Sequence, residues 1–259
     1  MDSTGNHLKK LTFKTFLKVY LRSFFIQGSF SIKYRQNTGF AFCMEPVGNV
    51  LWDEPENRNA FLIRHMEYFN GNPFMITLVL GAVTKMEEIL HHKGGITGKD
   101  ISVFKKAVGA ATGSIGDRFF WSTLRPFGII TGLLLTLFYG VWGILLALAV
   151  FNIPNFLLRW HWLKLGYRLG TGIIPVIQSK KLERAVYIME NLGAILLAFI
   201  TVVFVLTPDS TLNWVSAAAA VLFITSIILL KRAVSLSAVL VFSLVYTVIS
   251  GLLLIKIIY

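Results

Sequence analysis

Phe127-Gly-Ile-Ile-Thr-Gly-Leu-Leu-Leu-Thr-Leu-Phe-Tyr-Gly-Val-Trp-Gly-Ile-Leu-Leu-Ala-Leu-Ala-Val-Phe151 is an apolar run without a charged side chain. A helix crosses a hydrocarbon core with roughly 20 such residues, so the run reads as a transmembrane span. Further along, Leu192–Thr207 and Trp214–Leu230 are shorter apolar runs joined by Thr207-Pro-Asp-Ser-Thr-Leu-Asn213, a joint that suits the tip of a helical hairpin. Ala233–Ile255 reads as another span. Residues 127–259 are therefore expected to form a transmembrane region of about four helices. Arg159, Lys164, Arg168, Lys180, Lys181 and Arg184 lie between the first span and the hairpin, whereas the hairpin tip holds no Lys or Arg. Cytoplasmic loops carry the excess of cations. That rule places Arg159–Arg184 and Lys231-Arg232 in the cytoplasm and the hairpin tip outside.

Composition agrees with a lipid-embedded chain. Of the 259 residues, 55% are hydrophobic and 15% charged, against about 45–50% and about 25% in soluble domains. The formal charge is +12, which raises nucleic acid as a partner. A nucleic-acid footprint gathers its cations on one face or helix. Here they sit between apolar runs, where they anchor loops and meet anionic headgroups, so no nucleic-acid partner is expected. The single cysteine, Cys43, excludes an intramolecular disulfide and a cysteine-rich metal site. Met1–Lys10 is polar and has no apolar signal-peptide core. Leu11–Gly28 is amphipathic, with Lys14, Lys18 and Arg22 along one face, as in helices that lie in the membrane interface. The start is expected to be cytoplasmic and uncleaved.

Residues 1–126 are less regular. Their apolar stretches, Phe74–Val83 and Ala107–Ile115, are too short to span alone and are interrupted by Gly, Pro and polar residues. A cytoplasmic helical domain is one reading. The other is a set of amphipathic and re-entrant or broken helices, tolerated at membrane depth where protein or a watery cavity satisfies the backbone. Topology favours the second. With a cytoplasmic start and a cytoplasmic Arg159 loop, Phe127 begins outside, so something earlier must cross. The fold class is thus an all-α integral membrane protein, with broken helices before residue 127 and spans after it.

Two constellations bear on chemistry. In Arg64-His-Met-Glu-Tyr-Phe-Asn70-Gly-Asn-Pro73, helical spacing puts Phe61, His65, Tyr68 and Phe69 on one face and Arg64, Glu67 and Asn70 on another. Asn72-Pro73 would stop or kink that helix. A cation, a carboxylate and a carboxamide beside a helix break suit sugar hydroxyls, which donate and accept; they equally suit a salt-bridged solvated face. In Gly109–Pro126, Gly109, Gly113 and Gly116 permit close packing with a neighbouring helix or partner. Asp117 is placed as an N-cap, and Asp117, Trp121 and Arg125 follow on one stripe. An aromatic face between acid and base resembles a carbohydrate platform, and also a capped helix with interfacial Trp and Arg anchors.

Other apparent signals carry no chemistry. Gly94–Asp100 is one residue short of a phosphate loop and lacks its Ser or Thr. His91 and His92 diverge by about 100° on a helix, so both cannot bind one metal unaided. No metal, cofactor or independent catalytic residue is expected, and no repeat is evident.

Several stretches in order resemble the IID subunit of mannose/fructose/sorbose-type sugar phosphotransferase systems. They are Leu21-Arg-Ser-Phe-Phe-Ile-Gln27-Gly28-Ser-Phe, Gly39-Phe-Ala-Phe-Cys-Met44, Arg64–Pro73, Met86-Glu87-Glu88, Gly113-Ser-Ile-Gly-Asp117 continuing to Phe120-Trp121 and Arg125-Pro126, and Leu165-Gly-Tyr167. The resemblance implies an all-α subunit of the bacterial cytoplasmic membrane, multi-pass, that pairs with a IIC subunit in a higher oligomer of IIC–IID pairs. It implies that a hexose or amino sugar passes through this body and is phosphorylated by a phosphohistidine on IIB, charged by IIA. The phosphoryl-carrying residues belong to those partners, so His65 is not expected to be phosphorylated. The substrate-binding or translocation candidates are Glu67, Asn70, Asp117, Trp121, His65 and Arg125. One departure stands out: the family commonly carries a small residue or Pro after the Gly-Asp, and this chain has Arg118, a cation placed to pair with Asp117 or Glu67. That departure feeds the alternative of a non-transporting membrane scaffold or sensor that regulates sugar uptake.

Overall fold

A computed structural model describes residues 10–92 and 94–206. Trp214–Leu230, Ala233–Ile255, the hairpin tip and Lys231-Arg232 lie outside the described residues. The chain forms two compact units, Met1–Gly193 and Ala194–Tyr259; the core and the candidate site belong to the first.

The described residues are helical, apart from turns and two isolated bridges joining Ser31, Arg35 and Phe69. Helix α1 (Phe13–Ser23) buries Thr15, Val19 and Ser23 and leaves Phe13, Lys14, Leu17 and Lys18 exposed. It is the amphipathic helix expected from the sequence. Its aromatic side chains meet a later helix, with Phe16 against Tyr167 at 4.7 Å and Tyr20 against Trp160 at 5.4 Å between ring centres. Helices α2 (Asn37–Leu51), α3 (Pro55–His65) and α4 (Ile76–His92) follow.

Helix α4 is the centre of the unit. Ile76, Leu78, Val79, Leu80, Ala82, Val83 and Met86 are all buried, and a helix apolar on every side can be stable only when surrounded. Helix α5 (Gly98–Gly116) starts with a capping box: Asp100 N–H donates to Thr97 Oγ1 and Thr97 N–H donates to Asp100 Oδ2. The Gly94–Asp100 stretch that fails as a phosphate loop is this helix start. Gly94 and Gly95, with φ of +64° and +81°, make the turn before it.

The expected break at Asp117 is absent. Helix α5 continues through a wide π-helical turn, Asp117–Leu124, into α6 (Arg125–Tyr139). Asp117 therefore lies within a continuous helical run and is not an N-cap. Arg125 N–H bonds Phe120 O, five residues back, and the Thr123 hydroxyl donates to Arg118 O at 2.9 Å. Such turns occur mostly as short interruptions in α-helices, often at functional sites.

The run Phe127–Phe151 is not one span. Gly140, at φ +55°, turns the chain between α6 and α7 (Val141–Leu169), and the two helices pack on each other. A Cβ on Gly132 would meet Ala147 Cβ at 2.4 Å, and one on Gly143 would meet Thr136 N at 2.3 Å. Small residues at these points let the arms of the hairpin close. Hydropathy is blind to this turn because the turning residues are as apolar as the helix.

A second correction concerns the cations. Arg159, Lys164 and Arg168 belong to α7 and not to a loop. Arg159 is 4% exposed, donates to Ser23 Oγ and to Pro73 O, and lies 4.5 Å from the ring centre of Phe24. It ties together α1, the α4 approach and α7, so it cannot serve as a cytoplasmic anchor. After α7 come a 3-10 turn (Gly170–Ile173), a short α8 (Ile174–Ile177) and α9 (Lys180–Leu206), whose last residues take up most of the Leu192–Thr207 run.

Among the described residues two helical runs are long and apolar enough to cross a membrane, Gly98–Tyr139 and Val141–Ile177. Only 28% and 11% of their most apolar stretches are buried within the chain, so the rest of that apolar surface needs lipid or another apolar partner.

Helices α4 and α7 meet backbone to backbone. A Cβ on Gly81 would lie 2.1 Å from Leu163 O, and one on Gly166 would lie 2.1 Å from Leu78 O. Gly166→Ala is expected to lower the unfolding temperature in detergent, at a cost of about 1–3 kcal/mol for overpacking. An unchanged melting curve would show that the helices separate without penalty.

Candidate functional site

Asn72 sits at the hinge of the site. It is 1% exposed, and its Oδ1 accepts from Phe74 N–H at 3.0 Å, capping the turn that leads into α4. Pro73 follows at the first position of that turn, where its missing N–H costs nothing. The Asn-Pro pair thus opens a helix, whereas the expectation was that it ends one. Helix α3 has already finished at His65, so Phe61, His65, Tyr68 and Phe69 do not line one helical face, and neither do Arg64, Glu67 and Asn70. Phe61, His65 and Phe69 are buried all the same, while Tyr68 is exposed.

The segment Phe69–Asn72 is extended and lies along α5. Gln36 holds it by a two-way bond: its Nε2 donates to Gly71 O at 2.9 Å and its Oε1 accepts from Gly71 N–H at 3.0 Å. On α5 the glycines make room. A Cβ on Gly109 would meet the Phe69 ring at 2.9 Å, and one on Gly116 would meet Asn72 Cβ at 2.3 Å. Gly113 is different, since its nearest neighbour, Gly71 Cα, is 3.8 Å from an added Cβ. Two of the three small residues therefore admit a segment of the same chain.

From this seat Asn72 Nδ2 donates to Asp117 Oδ1 at 2.9 Å. Asp117 is exposed at the start of the π-helical turn. Trp121, 40% exposed, stands beside it on the same turn, with Phe74 5.5 Å away and the Arg125 guanidinium 5.4 Å from its ring centre. Asn72, Asp117, Trp121 and Arg125 thus form one cluster. An acceptor carboxylate beside a half-open indole offers a hydroxyl partner and an apolar ring face, the pair of contacts that a polyol can use. Glu67 pairs with Lys106 on α5 at 3.5 Å; Lys106 and Asp117 are separated by three helical turns, about 16 Å of rise. Glu67 therefore does not join the Asp117 cluster. Asn70 is exposed near the same end of the extended segment.

His65 belongs to a different group. The Arg64 guanidinium grips Glu87 with two bonds of 2.6 Å, and both Glu87 and His65 are wholly buried. His65 Nε2 is 3.0 Å from Glu87 Oε1 but out of line for a hydrogen bond, and neither ring nitrogen has a hydrogen-bond partner. Lys105 Nζ donates to Arg64 O at 2.6 Å and faces the Phe40 ring. Burial is the strongest single influence and works to raise the Glu87 carboxyl, yet the bonds and charge of Arg64 together with the neighbouring His65 outweigh it and hold the group below the usual carboxylate range.

Burial pushes the His65 imidazole down to about 4, against the pull of Glu87. In the unfolded chain an imidazole binds its proton near 6.5. Between those values the unfolded state carries the extra proton, so stability falls as pH drops through this window. His65→Gln is expected to flatten that part of a pH series of unfolding temperatures. An unchanged slope between pH 6.5 and 4 would assign the dependence to other groups.

Asn72, Gln36, Glu87 and Arg159 are polar side chains whose partners are not expected from the sequence. Glu87 had a legible signal, an acid ending an otherwise apolar helical stretch. Gln36 had none. Arg118, expected to pair with Asp117 or Glu67, pairs with neither; it lines a cleft beside Gln178, Ser179 and Glu183. Among the described residues no group of three His, Cys, Asp or Glu is arranged to hold a metal.

Residues 10–250 match the family described as PTS system mannose/fructose/sorbose family IID component. The fructose permease IID component of Bacillus subtilis is 31% identical over 176 residues, 68% of this chain and 64% of that protein. The chain thus aligns with a little under two thirds of that relative's length. The sorbose-specific EIID component of Klebsiella pneumoniae is 28% identical over 79% of this chain and 73% of its own length. The mannose-specific EIID component of Escherichia coli K12 is 32% identical over 64% of this chain and 59% of its own. Among solved structures, one described as mannose transporter ManYZ in complex with microcin E492 superposes with a TM-score of 0.60 at 29% identity, covering 74% of this chain and 71% of that one. Another, described only as a membrane protein, reaches a TM-score of 0.74 over 94% of this chain and 97% of that one at 23% identity, a likeness of fold. This chain belongs to the IID component family of the mannose/fructose/sorbose phosphotransferase systems.

Proposed function

We propose that this chain is the IID membrane subunit of a phosphoenolpyruvate-dependent sugar permease of the mannose family. With a IIC subunit it forms the sugar-translocating body in the bacterial cytoplasmic membrane, in a higher oligomer of IIC–IID pairs, while IIB, charged by IIA, donates the phosphoryl group. The observation that carries this reading is the family match across residues 10–250. The exposed apolar surface of the two long helical runs supports a lipid setting. The substrate is a hexose or amino sugar, and Asp117, Trp121, Asn70, Glu67 and Arg125 line or support its path. The complete burial of His65 fits a phosphoryl carrier located on a partner, because a phosphohistidine must be reachable from water.

The test is uptake of a radiolabelled panel of hexoses and amino sugars in cells that express this chain with its IIC, IIB and IIA partners. The readout is intracellular sugar phosphate. Product that disappears when this chain alone is omitted supports the reading and names the sugar. No product from any sugar, with the complex assembled, replaces it with a scaffold or sensor role.

A further inference from the structure

Away from the Asp117 cluster, a cleft of about 140 Å³ opens between the α5 end, the α8–α9 joint and the first turns of α9. A single water needs roughly 10–15 Å³ of such space, so the cleft suits a group much larger than one water or ion. Its polar lining is Arg118, Gln178, Ser179 and Glu183, and its apolar wall includes Ile115 and Val186. A cation and an anion thus share one cleft, yet no ion pair joins Arg118 to Glu183 among the described residues.

The position of the cleft in the chain gives its depth. The helical run Val141–Ile177, apolar in its first half and carrying Arg159, Lys164 and Arg168 in its second, ends at its edge, and Lys180, Lys181 and Arg184, all exposed, begin the next helix. A change from a long apolar run to clustered cations marks the headgroup level of a membrane. Arg118 offers a planar fork that matches a phosphate. Glu183 would repel a bare anion but accept an ammonium. The apolar wall continues from the polar end as hydrocarbon would.

We propose that this cleft binds the headgroup of an aminophospholipid, with the phosphate on Arg118, the ammonium on Glu183 and the first part of an acyl chain along the apolar wall. A neutral sugar would leave both charges unmatched, and an inorganic anion would leave Glu183 facing it. The cleft shares no lining residue with the Asp117 cluster, so it does not depend on the transport reading.

The test is native mass spectrometry of the full chain in detergent, purified with its membrane partner and equilibrated with phosphatidylethanolamine or phosphatidylglycerol. Phosphatidylethanolamine is expected to be retained roughly tenfold better, the worth of one charge-assisted hydrogen bond. Arg118→Gln is expected to lower retention of both lipids by about tenfold. Glu183→Gln is expected to lower retention of phosphatidylethanolamine alone and so erase the preference. Arg118→Lys, which keeps the charge and loses the fork, is expected to fall between wild type and Arg118→Gln. Equal retention of the two lipids by wild type overturns the proposal, as does a preference unmoved by Glu183→Gln. Displacement of the lipid by inorganic phosphate would identify a simple anion site and overturn it too.

Discussion

Glu87→Ala is expected to destabilise the protein by about 3–5 kcal/mol, the typical cost of removing one partner of a buried ion pair. Glu87 is fully buried, and the Arg64 side chain is 13% exposed. The guanidinium spends two donors on the carboxylate and lies against the rings of Phe61 and Trp52, 5.3 Å and 5.9 Å from their centres. Without Glu87 that charge has no counter-ion and little water. The same pair joins α3 to α4, and Lys105 secures α5 to the end of α3 through Arg64 O. The loss should therefore spread to the junction of three helices. Thermal unfolding in detergent measures it, and a double-mutant cycle with Arg64→Met isolates the pair. The double variant should recover much of the loss, because apolar replacements remove the need to desolvate two charges. A double variant as unstable as the sum of the single ones would mean that the pair is not coupled.

Asp117→Asn is expected to reduce accumulation of sugar phosphate by at least about tenfold, or 1.4 kcal/mol, while the protein still assembles. Asp117 receives Asn72 Nδ2 through one oxygen. An asparagine there can turn its own carbonyl oxygen to Asn72, so the link between the extended segment and the π-helical turn survives. What is lost is the negative charge and an acceptor at the exposed edge of the turn, beside Trp121. Hydrogen bonds to charged groups are worth more than neutral ones, and a site built on them discriminates strongly when one is missing. Wild-type uptake by this variant would remove Asp117 from the sugar path. Loss of the assembled complex would instead make the residue structural. Glu67→Gln provides the contrast: Glu67 pairs at the surface with Lys106, three turns from Asp117, so its effect reports a separate region of the path.

Much of this protein was legible in its residues. The apolar excess and the ordered motifs indicated a helical membrane subunit of this family, and Lys14, Lys18 and Arg22 marked the amphipathic α1. The Thr97–Asp100 start of α5 is a local pattern, since both hydrogen bonds of its box join neighbouring residues. Local patterns survive into the fold because the atoms that decide them are close in the chain. The Asn72-Pro73 pair shows the limit of such reading. The same dipeptide can end one helix or begin the next, and the choice went to the beginning because Asn72 Oδ1 reaches Phe74 N–H while Gln36, just ahead of α2, pins Gly71.

What the amino-acid sequence determined by itself was composition and period: helices, a need for lipid, and family membership. Only the tertiary structure decided which of the polar residues work together. It folded one apolar run into a hairpin at Gly140, buried Arg159 where a loop cation was expected, and separated His65 and Glu67 from the Asp117 cluster. The physical reason is that a charge inside an apolar protein is placed by its partners, and those partners lie far away in sequence. Arg159 finds Ser23 and Pro73, Arg64 finds Glu87, and Asn72 finds Asp117 only after the glycines of α4, α5 and α7 have let the backbones come close enough for the bonds to form.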